Sequence, residues 1–347
     1  MTSFRLLHAS DLHVSVNADL INVYDIEGFW GLVGQSVSQG FRRSIILSSF
    51  NSDTAAAFSY EVKVNAGRVD AVLITGDIAT TGESCDLAAA RNYFEGYVSE
   101  EWGTILPESL SPMIGPGLPP LVMMPGNHDR YSGKTYSPSS REFENVFGPL
   151  WDFSATAADS WHGSHKFVRT TFLSKSKSLL ALCRVDFSLT DLCQVQDNIL
   201  GHLGQGKVRR KSDANGPLDA LDELIAQTEK ATALKADGYE VSIVWCVHFP
   251  PQYPGIPNAL KLIDEDDLLA AAKKFDIRLI LSGHTHKFET YVVNQGRTKV
   301  VCCGTTTGMS QDDGNDFLEI TINTDDMINP EILRKRWNGS VDAKSFE

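Results

Sequence analysis

The 347 residues predict an α/β protein in which strands alternate with helices around a partly parallel sheet. Two observations predict it. Five short apolar runs each have the length and the aliphatic or β-branched bias of a buried strand, and each ends abruptly in a polar cluster. Between the runs lie longer stretches with helical patterning and polar or acidic starts.

In chain order, the runs are residues 4–9, ending in Ser10-Asp11-Leu12-His13, and residues 71–75, ending in Gly76-Asp77. Residues 121–124 end in Pro125-Gly126-Asn127-His128-Asp129, residues 242–247 in His248-Phe249-Pro250-Pro251, and residues 277–281 in Ser282-Gly283-His284-Thr285-His286. Helices are expected over 53–66, 86–98, 217–234 and 264–275; the last opens on Asp264, Glu265, Asp266 and Asp267, which suit the positive end of a helix dipole. Residues 166–174 and 178–186 read as a hairpin. Residues 299–303 and 317–323 read as two more strands, joined by a Gly- and Thr-rich loop over 304–314. These additions suggest a second, more antiparallel sheet and hence a layered sandwich.

The expected organisation is one domain over 1–325 with an insertion at about 14–52, followed by a C-terminal tail over 326–347. Within the insertion, Phe29-Trp30 packs either as core, as a lid or as a homo-oligomer surface; the pattern leaves all three open. Residues 100–120 carry five of the 14 prolines and are expected to form a loop with little regular structure.

Composition limits the function. Hydrophobic residues at 42% and charged residues at 22% are ordinary for a globular chain. The net charge of −13 repels polyanions, so a nucleic acid polymer is an unfavourable partner. No apolar run approaches the ~18 residues of a membrane span. The N-terminus lacks a secretory signal pattern, so the expected location is cytoplasmic. The six cysteines show no CxxC spacing, which argues against a disulfide framework or a zinc ribbon.

In open α/β sheets, function collects beyond the carboxyl ends of the strands. The five clusters place Asp11, His13, Asp77, Asn127, His128, Asp129, His248, His284 and His286 there, including five of the nine histidines. Nitrogen and oxygen donors without thiolates favour Mn, Fe or Zn, and the set is too large for one ion. His8, inside the first run, reads as a hydrogen-bonded core residue. His162 and His165 either line the cleft or lie on a surface loop. His202 with Lys207, Arg209, Arg210 and Lys211 either steers a phosphate or forms a solvated face.

The ordered series Asp11-x-His13, Gly76-Asp77, Gly126-Asn127-His128-Asp129, His248, Gly283-His284-x-His286 resembles the signature of the calcineurin-like metallophosphoesterases. The resemblance implies an αββα sandwich of two mixed sheets flanked by helices. It also implies that Asp11, His13 and His286 hold one metal and that Asn127, His248 and His284 hold the other, with Asp77 bridging. His128 would assist the leaving group, with Asp129 orienting it, and Asn127, His128 and Arg130 would contact substrate. The implied activity is hydrolysis of phosphodiesters by a metal-bridging hydroxide. The compact layout is similar to bacterial class III cyclic nucleotide phosphodiesterases, from which the 14–52 insertion and Phe249 depart. A broad-specificity phosphomonoesterase is the alternative, followed by a DNA nuclease or an inactive scaffold. The expected substrate is a small phosphate ester.

Overall fold

Residues 2–15, 51–97, 110–130, 142–151, 167–188, 206–209, 219–256, 261–308, 314–337 and 346 are described in the structure, a computed structural model. The first apolar run becomes β1 (Ser3–Ala9), where Phe4, Leu6, Leu7 and Ala9 are fully buried. Burial on both sides of a strand requires a central place in a covered sheet. Accordingly, β1 is the third strand of five, in the order β13-β12-β1-β2-β3. Here β2 is Ala71–Thr75, β3 Leu121–Met124, β12 Asp316–Asn323 and β13 Glu331–Arg336. The β1–β2 and β2–β3 pairs are parallel, and β12 pairs antiparallel with both β1 and β13.

The second sheet has six strands in the order β10-β11-β9-β7-β5-β4. They are β4 (Val168–Lys175), β5 (Ser178–Val185), β7 (Glu240–Val247), β9 (Leu279–Ser282), β10 (Glu289–Val293) and β11 (Thr298–Cys302). A short parallel pair, β6 (Gly206–Lys207) and β8 (Leu262–Ile263), stands apart. Both large sheets mix parallel and antiparallel pairs, as the αββα expectation requires.

Helices α1 (Ser52–Val64), α2 (Ser84–Glu95) and α3 (Glu142–Trp151) share one apolar core with the first sheet and with the inner face of the second. A second core lies between the six-stranded sheet and helices α4 (Ala220–Ala233) and α5 (Glu265–Lys274). The four layers are therefore helix, sheet, sheet, helix. Asn51 caps α1 by accepting from the Asp53 and Thr54 N–H groups, and Asp219 caps α4 by accepting from that of Asp222. Arg184, fully buried between the sheets, donates to the Met123 carbonyl at 2.5 Å and to Thr171 Oγ1 at 2.9 Å.

Two expectations are corrected. The segment over 326–347 is not all tail, because β13 lies within it and pairs with β12 along six residues. The two late strands do not share a sheet: β11 joins the six-stranded sheet and β12 the five-stranded one. The loop between them passes from sheet to sheet. The insertion between residues 16 and 50, His162, His165, His202, Arg210 and Lys211 lie outside the described residues. Among the described residues no helix is long and apolar enough to cross a membrane.

Candidate metal centre

The five polar clusters leave β1, β2 and β3 of one sheet and β7 and β9 of the other, so the site spans the carboxyl ends of both sheets. Five site residues depart from ordinary backbone: φ is 54° at Asp11, 52° at His13, 51° at Asp77, 74° at His284 and 57° at His286. A left-handed conformation costs about 1–3 kcal/mol at a non-glycine residue and persists only where the surroundings fix it. Such turns re-aim successive side chains toward one point, which an extended strand cannot do.

The neighbouring glycines are fixed by close packing. A Cβ on Gly126 would lie 2.2 Å from Asp77 Oδ1, and one on Gly283 would lie 1.7 Å from Ser10 Oγ and 2.8 Å from Asp11 Oδ2.

Two donor groups result. Asp11, His13, Asp77 and His286 form one, and Asp77, His248 and His284 form the other. In the first, His13 Nε2 lies 3.1 Å from His286 Nε2, which lies 3.2 Å from Asp11 Oδ1. In the second, His248 Nε2 lies 3.2 Å from Asp77 Oδ2 and 3.1 Å from Asn127 Oδ1, which brings Asn127 into the set. Donors bound cis to one cation at about 2.1 Å lie about 3 Å apart, so these edges fit coordination polyhedra. Asp11 Oδ1 is buried with no hydrogen-bond partner, an arrangement that a cation would satisfy.

Each carboxylate is held by one oxygen and offers the other. Asp11 Oδ2 accepts from the His284 N–H at 3.0 Å, and Asp77 Oδ1 accepts from the His128 N–H at 2.8 Å. Asp77 Oδ2 remains for the centre, 3.2 Å from His248 Nε2 and 4.0 Å from His13 Nε2, and is thereby shared by both groups.

Charges follow this geometry. Burial alone would lower the His248 pKa, but Asp77 outweighs it and raises the value to about 9. His286 is also raised: burial opposes the protonated form and Asp11 favours it more strongly. Burial would raise the Asp11 carboxyl, yet His286 draws it down to about 2. His248 Nδ1 donates to the Thr75 carbonyl at 2.7 Å, which leaves Nε2 as the ligating atom.

A profile described as calcineurin-like phosphoesterase matches residues 4–288. The chain belongs to that family. Calcineurin-like phosphoesterases are metal-dependent phosphoric ester hydrolases with two-metal centres, and the two donor groups fit that requirement. No curated protein matches the chain. Similar solved structures include a dimetal phosphatase from Danio rerio, 13% identical, covering 91% of this chain and 92% of that one with a TM-score of 0.47. Another is the anchor in the inner membrane complex of Plasmodium, 14% identical, covering 98% and 87% with a TM-score of 0.46.

The residues around this phosphoesterase centre alter three sequence-based expectations. Asp129 does not touch the His128 ring; its carboxylate accepts from the N–H groups of Ile78, Ala79 and Gly126 at 3.1, 2.8 and 2.8 Å. It ties the loop after β2 to the loop after β3. Burial and then the Asp77 charge push its carboxyl up to about 7, against the pull of the three N–H groups. His128 is oriented instead by Nδ1, which donates to the Thr80 carbonyl at 2.9 Å.

Second, burial lowers the His128 pKa below its ordinary value, with Asp77 opposing, so burial works against the imidazolium that a proton donor needs. Third, Arg130, expected at the substrate, is enclosed among carboxylates. Fully buried, it donates to both Glu144 oxygens at 2.7 Å and to Asp186 at 2.7 and 3.1 Å. It staples the His128 turn to α3 and to the residue after β5. Arg209, from the basic loop, is likewise paired with Asp219, Asp222 and Asp267. His8 is the core residue expected, with Nε2 2.9 Å from Thr75 Oγ1.

Proposed function

We propose that the protein hydrolyses small phosphodiesters at a two-metal centre, with His128 assisting departure of the leaving oxygen. The supporting observation is the pair of nitrogen and oxygen donor groups sharing Asp77 Oδ2, with the His128 ring 4.7 Å edge-on from that of His13. Asp11, His13 and His286 would hold one cation, Asn127, His248 and His284 the other, and Asp77 would bridge them. When bound, two such cations activate water and neutralise phosphoryl charge.

The chain's own part is positional and protonic. The His128 Nδ1 proton is committed to Thr80, so Nε2 is the atom that gives a proton to the departing alkoxide. An arriving phosphate anion favours the protonated ring by charge, offsetting the effect of burial. The net charge of −13 disfavours long polyanions, whereas a small ester meets the cations first.

Turnover of bis(p-nitrophenyl) phosphate against p-nitrophenyl phosphate with Mn²⁺ tests this reading. Preference for the diester is expected; a strong preference for the monoester would replace the phosphodiesterase with a phosphomonoesterase. In the same assay, His128→Ala should lose far more activity on esters with poor leaving groups than on nitrophenyl esters. Equal losses would remove His128 as the proton donor.

A further inference from the structure

We infer that three threonines, Thr305 and Thr307 from one loop and Thr80 from another, form a hydroxyl clasp that sets the metal-binding turn Asp11-Leu12-His13. Turns whose residues sit at positive φ need their carbonyls fixed from outside, because a hydrogen-bonded sheet no longer does so. Around this turn the fixing is done largely by hydroxyls. Thr305 Oγ1 donates to the Asp11 carbonyl at 2.8 Å, Thr307 Oγ1 to the Leu12 carbonyl at 2.5 Å, and Thr80 Oγ1 to the His13 carbonyl at 2.6 Å. Backbone groups of the same loop complete the clasp: the Thr306 N–H donates to the Ser10 carbonyl at 2.9 Å and the Gly308 N–H to Asp11 at 3.2 Å. Thr80, Thr305, Thr306 and Thr307 are all fully buried, where an unmade hydrogen bond is expensive.

The clasp has a direction. Asp11 and His13 ligate through side chains whose aim follows from φ values of 54° and 52°, so releasing the carbonyls lets both side chains swing from His286. Thr80, Thr305 and Thr307 are positioning residues for the Asp11, His13 and His286 group, whose turn carries all three carbonyls they hold. This inference rests on the two-metal reading above.

Equilibrium dialysis against Mn²⁺ alone tests it on the full chain, using Thr307→Val, Thr80→Val, the double variant, and the corresponding serine variants. Valine keeps the branched shape and removes the hydroxyl; serine keeps the hydroxyl and removes the methyl. Wild type should bind two equivalents. The valine variants should weaken one equivalent by roughly 10–100-fold while the other is unchanged, and the serine variants should restore both. If wild type binds no Mn²⁺, the two-metal reading fails and takes the clasp with it. If wild type binds two and the valine variants bind both as tightly, the clasp alone is overturned. Serine variants that weaken as much as valine also overturn it, by showing that packing and not the hydroxyl matters. Either single variant carries the test if the double variant does not fold.

Discussion

Asp11, His13 and His286 all leave their strands through left-handed turns, whereas in the second group only His284 and the shared Asp77 do so; Asn127 and His248 keep ordinary backbone, and His248 is fixed through its ring by Thr75. The first group is thus aimed by the main chain. In the second, His248 is aimed by a hydrogen bond to its side chain. Exposure differs as well: the His286 side chain is 31% accessible, while that of His248 is fully buried. His286 is thus the more open edge of the centre and His248 the more enclosed one.

The largest expected effect comes from removing what both groups share. Asp77→Ala deletes the common oxygen and the acceptor of the His128 N–H, so bound metal should fall from two equivalents to one or none, measured by elemental analysis after gel filtration. Retention of two would break the comparison at its root. Next, Arg130→Ala leaves Asp186 buried without its cation and frees the turn that carries Asn127. Breaking a buried pair in this way costs about 3–5 kcal/mol, read from chemical denaturation. The equivalent held by Asn127 and His248 should weaken more than the other, and the reverse ranking would refute the assignment of Arg130 to that side.

The smallest effect is in proton release. His248 carries a pKa raised to about 9 from an ordinary 6.5, so the metal-free protein holds that proton at pH 7 and must shed it to bind. The stabilisation from this raised pKa is fully present below about 6.5 and is lost as pH rises through about 9. Metal affinity should move the opposite way, increasing across that window. Calorimetry of Mn²⁺ binding in buffers of differing ionisation enthalpy reads the released protons; none released at pH 7 would contradict the protonated His248.

Most of the site was legible because a buried strand that stops in charged residues leaves few other uses for them, and the five clusters fall where the strands end. What escaped has physical reasons. β13 carries Glu331, Arg334, Lys335 and Arg336 and, with a single strand neighbour, shows no apolar run to separate it from a polar tail. α3 contains Gly148 and Pro149, which mask a helix in the sequence. Arg130 follows the third cluster directly, so adjacency suggested a substrate contact, but Glu144 and Asp186, 14 and 56 residues away, claim it. The Gly- and Thr-rich loop looked like a plain connection because a hydroxyl on a carbonyl 295 residues distant leaves no local pattern.

That distance bears on how the chain matures. Asp11 and His13 emerge early in synthesis, but Thr305 and Thr307, two of the threonines that grip their turn, arrive 294 and 295 residues after the carbonyls they hold, and β12, which flanks β1, follows them. Contacts of such separation form late because loop closure must precede them. Until then β1 has one open edge and the Asp11 and Leu12 carbonyls lack their hydroxyl partners. The turn that carries Asp11 and His13 therefore gains its full set of contacts only in the finished fold, although its residues are among the first of the chain.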